Sequence, residues 1–178
     1  MQYISILPII IYVVFVWHKF GIQKSISESY YRLTFKQKPL FFFALLFTAI
    51  LMIFSAINSH PDNLLANIVI FLAGVGIGYT STAAAFKDSK IQGTIHVYGA
   101  LAGYILGYIH ILITWGFDSV YFVVPSVFVM FSAYKLGESK VRKLENGWFL
   151  YYRNLNNNFI WWFEIIGLVT IWLSLILR

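Results

Sequence analysis

Apolar residues run along this chain in long blocks, and short polar breaks divide one block from the next. Blocks of suitable length occupy residues 3–19, 40–58, 63–86, 95–115, 119–136 and 159–177. Crossing a hydrocarbon layer takes about 20 residues of helix, so each block is expected to be a transmembrane helix. The breaks between them are well marked. Asn58 to Asn63 is a cluster of turn formers around Pro61, Lys87 to Lys90 is charged, and Trp115 to Asp118 reads as a tight interfacial turn. Two connections are longer, 20–39 and 137–158. The expected fold is all-α: one membrane domain over residues 1–178, a polytopic bundle of six transmembrane helices.

Composition reinforces this reading. The chain is 60% hydrophobic and 11% charged, where soluble proteins run near ~45–50% and ~25%. A small water-soluble domain leaves too much of its area exposed to hide that much apolar surface, so lipid is the expected solvent. The absence of cysteine excludes disulfides, thiolate metal sites and cysteine nucleophiles. Aromatic residues make up 20% of the chain, and many stand where helices should meet the lipid headgroups.

Charge placement sets a direction. Lys19, Lys24, Arg32, Lys36 and Lys38 surround the first long connection, Lys87 and Lys90 sit in the short third one, and Lys135, Lys140, Arg142, Lys143 and Arg153 surround the second long one. Only Arg178 falls on the opposite side. Cytoplasmic loops hold the excess of Lys and Arg, so 20–39, 87–94 and 137–158 are expected inside and both termini outside. A net charge of +6 then orients the chain in a bacterial inner (plasma) membrane, and no nucleic-acid partner is expected. The first block lacks a basic leader and a small-residue cleavage site, so it reads as a retained helix. Pro8 and Pro125 fall inside blocks, where neighbouring helices can satisfy the carbonyl that proline frees.

The long connections carry their own pattern. Ser25 and Glu28 fit a capping box, and Ile22, Ile26, Tyr30 and Leu33 follow at helical spacing, as for a short amphipathic helix on the inner leaflet. In the second connection Val141 and Leu144 continue the fifth block until Asn146-Gly147, and Trp148, Phe149, Tyr151 and Tyr152 form an aromatic patch. Basic residues beside such aromatics attract anionic inner-leaflet lipids. Gly21 followed by the run from Ser25 to Tyr31, directly after the first block, resembles a pattern in small uncharacterised polytopic membrane proteins of bacteria and phages. The resemblance covers roughly the first 40 residues and implies no activity.

Helices in lipid associate through small residues that let backbones approach. Gly99, Gly103 and Gly107 recur every four residues in the fourth block, and Gly74 and Gly78 share that spacing in the third. The third and fourth helices are expected to pack as a hairpin, with a homo-oligomer contact through a glycine face as the rival. Residues 74–78 also read superficially as a nucleotide-binding loop, but no strand precedes them.

Polar residues inside a membrane are costly and are functional candidates. Glu164 stands five residues into the sixth block, at a depth of ~7 Å for 1.5 Å per residue. It could snorkel to the interface, pair with a base such as Lys135, or contact a proton or cation. Asn67, Thr48, Ser81, Thr82 and Ser174 could extend a polar path from it, although such hydroxyls often bond back to their own helix.

The four histidines fall two to each side, His18 with His96 inside and His60 with His110 outside. That arrangement resembles membrane b-type cytochromes, in which paired histidines hold two haems and glycines make room for the porphyrin. The resemblance implies haem b as the alternative to no cofactor. Only the fourth helix supplies two histidines here, and His60 lies in a loop. A ceramidase-type lipid hydrolase would gather His18, His96 and Glu164, and an intramembrane serine protease would need a base beside Ser81. No motif demands enzyme chemistry. The expected function is a small oligomeric channel or transporter-like protein for ions or small solutes, with Glu164 and Asn67 as ion or proton contacts. A non-catalytic membrane scaffold or accessory subunit is the alternative.

Overall fold

The computed structural model describes residues 4–85, 87–136 and 159–177, with the side chains of 132–136 and 159 excepted. Among these residues there are helices and no strand. In chain order they are α1 (Leu7–Phe20), a 3₁₀ turn (Ser27–Arg32), α2 (Lys38–Ser59), α3 (Leu64–Thr82), α4 (Lys90–Trp115), a second 3₁₀ turn (Gly116–Ser119), α5 (Val120–Leu136) and α6 (Phe159–Ile176). Three stretches are long and apolar enough to cross a membrane: Lys38–Ser59, Leu64–Thr82 and Lys90–Phe131, the last broken at Gly116–Ser119. Leu7–Phe20 and Ile160–Ile176 are shorter apolar helices.

Local chemistry sets the helix ends. Pro8 lies in the first turn of α1, where its missing N–H would have had no helical partner. Gly21 ends α1 at a φ of 73° while its N–H still reaches the Trp17 carbonyl, a conformation that glycine alone adopts without a Cβ penalty. The Asn63 side chain accepts from the Ala66 N–H to start α3, and Ser89 does the same for Gln92 at α4.

α3 and α4 form a closely packed hairpin, α2 lies against α3, α1 against α2, and α6 packs on α5 and reaches α4 and α2. Two apolar clusters fill the interior. One, at the end rich in Lys and Arg, joins Ile9, Tyr12, Val16, Phe41, Leu45, Ile77, Trp161 and Leu168. The other, towards the opposite end, joins Met52, Ala56, Ile70, Ala73, Ile111, Ile171 and Leu175. The outward faces are also apolar, with Ile11, Phe47, Phe54, Phe71, Leu101, Ile105, Leu112 and Phe128 exposed, which suits a hydrocarbon solvent.

The hairpin forms as the glycine pattern anticipates, but a different glycine of α3 faces α4. A Cβ on Gly76 would stand 2.6 Å from the Gly99 carbonyl oxygen and 2.8 Å from the Gly103 nitrogen. Gly74 instead faces the Ile53 side chain of α2, and Gly78 has nothing within 4 Å of where its Cβ would stand. Two residues advance a helix by about 200°, so Gly74 and Gly78 point away from the face that holds Gly76. On α4, Gly99 and Gly103 meet α3, whereas Gly107 admits Ile171 of α6.

The 20–39 connection also differs from the expected surface helix. Ser27–Arg32 is a 3₁₀ turn, and Ser25, Ile26, Ser27, Ser29 and Leu33 are buried. The segment is a strap docked into the bundle. Its serines bond locally to the backbone, which competes with α-helix formation. The Glu28 N–H donates to Ser25 Oγ at 2.9 Å, one half of the anticipated capping box. The expected aromatic patch of Trp148, Phe149, Tyr151 and Tyr152, and the side chain of Lys135, lie outside the described residues.

Candidate functional site

Glu164 is where the strap meets the bundle. The second turn of α6 brings its carboxylate to the backbone of the strap, and Oε2 accepts the Ile26 N–H at 2.5 Å. One turn earlier the Trp161 N–H donates to the Lys24 carbonyl at 3.1 Å. From the other side the Ser29 hydroxyl donates to the Ile26 carbonyl, which leaves Ser29 Oγ to accept from the Tyr12 hydroxyl of α1. The strap is therefore tied to α1 and α6 by groups far away in sequence.

A third tie lies at the surface. Lys87 Nζ and Glu28 Oε1 are 2.7 Å apart, the Lys87 N–H donates to the Tyr31 hydroxyl oxygen at 2.7 Å, and the ammonium stands 5.1 Å from the Tyr31 ring centre. Burial pushes the Tyr31 hydroxyl up to about 12, against the smaller pull of the bond from Lys87. It is a neutral phenol at ordinary pH.

Behind the strap is a small cavity lined by Ile26, Ser27, Leu45, Ile77, Thr80, Ala100, Tyr104, Glu164 and Leu168. Its free space holds about two water molecules. The Tyr104 hydroxyl donates to the Glu164 backbone carbonyl at 3.0 Å. Gly167 makes room for that tyrosine, because a Cβ there would stand 2.6 Å from Tyr104 Cε1. Among the described residues no Lys or Arg pairs with Glu164.

His96 adjoins this region from α4. Its Nδ1 lies 3.1 Å from both the Thr80 and Ala83 carbonyl oxygens. Carbonyls only accept, so Nδ1 carries a hydrogen and shares it between them. The imidazole thus caps the end of α3. His18 is exposed on α1. No cluster of three or more His, Cys, Asp or Glu residues that could hold a metal occurs among the described residues. The faces of Gly99 and Gly103 are taken up by α3, and that of Gly107 by Ile171.

At the opposite end of the bundle, the His60 and His110 rings approach to 6.1 Å between centres. Asn67 staples the turn there: its Nδ2 donates to the His60 carbonyl at 3.1 Å and lies 3.4 Å from that of Pro61. Ser81, Thr82 and Ser174 bond back to carbonyls of their own helices. Thr48 Oγ1 and Ser55 Oγ, fully buried on α2, have no hydrogen-bond partner among the described residues.

The structure thus separates Glu164 and Asn67, one at each end, and brings His60 to His110. Several contributors escaped the sequence reading: Tyr12, Ser27, Ser29, Tyr104, Thr80 and Gly167. The alternating Ser25, Ser27 and Ser29, unusual for a lipid-facing helix, was the available signal. Compared with protein-family models, curated proteins and solved structures, the chain matches none.

Proposed function

We propose that this chain is a six-helix integral membrane protein of a bacterial inner membrane, with both termini outside, that moves ions or small solutes as a small oligomeric channel or transporter. The observation that carries the reading is Glu164, a carboxylate lining a small half-open cavity, bonded to a neutral N–H and paired with no Lys or Arg among the described residues. A carboxylate in apolar surroundings is costly unless neutralised, and a proton or a cation drawn from the cytoplasm neutralises it. The basic residues at that end support a position on the inner side and an attraction for anionic lipid.

The test is flux through the purified full chain in liposomes, under gradients of protons, Na⁺, K⁺ and small solutes. Ion or solute movement above that of protein-free vesicles is expected. No movement under any gradient contradicts transport and leaves the non-catalytic scaffold as the standing alternative. Native mass spectrometry of the same sample is expected to show more than one subunit.

A further inference from the structure

Polar groups in the interior of α2 behave unlike those of the other helices. Ser81, Thr82, Thr114 and Ser174 each donate to a carbonyl three or four residues back, the usual outcome for hydroxyls on membrane helices. Thr48 and Ser55, at 0% and 1% exposure, do not. A buried hydroxyl without a partner costs about 1–3 kcal/mol, and such a group asks for an explanation.

Their placement supplies one. Leu45, which lines the Glu164 cavity, lies one turn before Thr48. Ser55 follows Thr48 by seven residues, which returns it to within about 20° of the same face and about 10 Å further along the axis. One turn beyond Ser55, the Ser59 hydroxyl donates to the Ser55 carbonyl at 2.7 Å. His60 comes next, beside His110. Thr48 and Ser55 therefore share one face of α2 between the cavity end and the histidine end of the bundle, and neither hydroxyl has a partner among the described residues.

We infer that the species moved is the proton, and that it travels between the Glu164 cavity and the His60–His110 pair by way of the Thr48 and Ser55 hydroxyls and intervening water. This inference rests on the transport reading above and narrows its substrate class. A metal cation needs its hydration shell replaced by several oxygens at once. Single hydroxyls about 10 Å apart, among Leu45, Met52 and Ala56, do not provide that. A proton needs only a chain of groups that each accept one proton on a lone pair and release another from the same oxygen, as hydroxyls and water do. At the inner end it adds to the Glu164 carboxylate, and it leaves from there to cytoplasmic water. The cavity, with room for about two waters, suits that hand-over.

The experiment uses the full chain in liposomes loaded with a pH-reporting dye, with a K⁺ diffusion potential as the driving force. Na⁺ and K⁺ movement are measured in parallel vesicles to which no K⁺ permeability has been added. Wild type is expected to move protons and neither metal ion. Thr48→Val, which keeps shape and removes the hydroxyl, and Ser55→Ala are each expected to lower proton flux towards that of protein-free vesicles. The Thr48→Val protein should melt no lower than wild type. Na⁺ or K⁺ flux without proton flux overturns this inference and leaves transport standing. Proton flux unchanged in Thr48→Val overturns the path. No flux of any kind removes both the inference and the reading beneath it.

Discussion

The two ends of the bundle organise their polar groups in opposite ways. At the end rich in Lys and Arg, the decisive bonds join residues far apart: Ile26 to Glu164, Tyr12 to Ser29, Lys87 to Glu28 and Tyr31, Tyr104 to the Glu164 carbonyl. At the other end most are local. Asn67 reaches back to His60, Asn63 caps its own helix at Ala66, and Ser59 bonds to Ser55. Local bonds finish helices and turns. The distant ones hold a strap across the bundle and build a cavity against it, which is why the candidate site lies at the basic end.

The largest effect should come from the hairpin on which both ends depend. Gly76→Ala sets a methyl against the backbone of α4 at 2.6–2.8 Å, and rigid backbone cannot yield as a side-chain tip can. A loss of about 1–3 kcal/mol is expected, read as a lower melting temperature in detergent. Gly78→Ala, with open space at its Cβ, should leave melting nearly unchanged. Equal effects at the two positions would remove the assignment of Gly76 to the interface.

Next is the strap. Glu164→Ala leaves the Ile26 N–H without its acceptor, at a cost of about 1–3 kcal/mol. Amide exchange should accelerate over residues 24–30 and stay constant in the turn at 60–67. Acceleration at both ends alike would abolish the contrast between them.

Tyr12→Phe removes one donor to Ser29 and should cost about 0.5–1.5 kcal/mol, again confined to the strap in exchange. The smallest effect is expected from Lys87→Ala. Its ion pair with Glu28 is partly exposed, and such pairs contribute about 0–1 kcal/mol and weaken with salt. A large, salt-independent loss would show that this tie bears more of the strap than its exposure implies.

Much of the helical plan was legible in the sequence because it depends on block length and local punctuation. The block expected over 40–58 is the helix Lys38–Ser59, and the turn formers at 58–63 do separate α2 from α3. The hairpin was legible too, since glycines four apart mark close approach. Which glycines meet was not. That depends on helix rotation, and α3 turns Gly76, not Gly74 and Gly78, towards α4. The strap is hidden from the sequence for a similar reason. Ile22, Ile26, Tyr30 and Leu33 have helical spacing, but spacing cannot reveal an acceptor 138 residues away. Glu164 was found as a carboxylate out of place in an apolar block. Its surroundings, Tyr104, Ser27 and Thr80, come from other elements and became visible only when these were assembled.

On the proposed function, Glu164 is a functional carboxylate and not merely an anchor for the strap. Glu164→Gln separates the two roles, because the amide oxygen still accepts the Ile26 N–H but the group neither gains nor releases a proton at ordinary pH. Proton flux through reconstituted Glu164→Gln protein, beside wild type of matched melting temperature and strap protection, is the direct measurement. Flux reduced to the level of protein-free vesicles is expected. Wild-type flux in that variant would contradict the claim and leave Glu164 a structural cap.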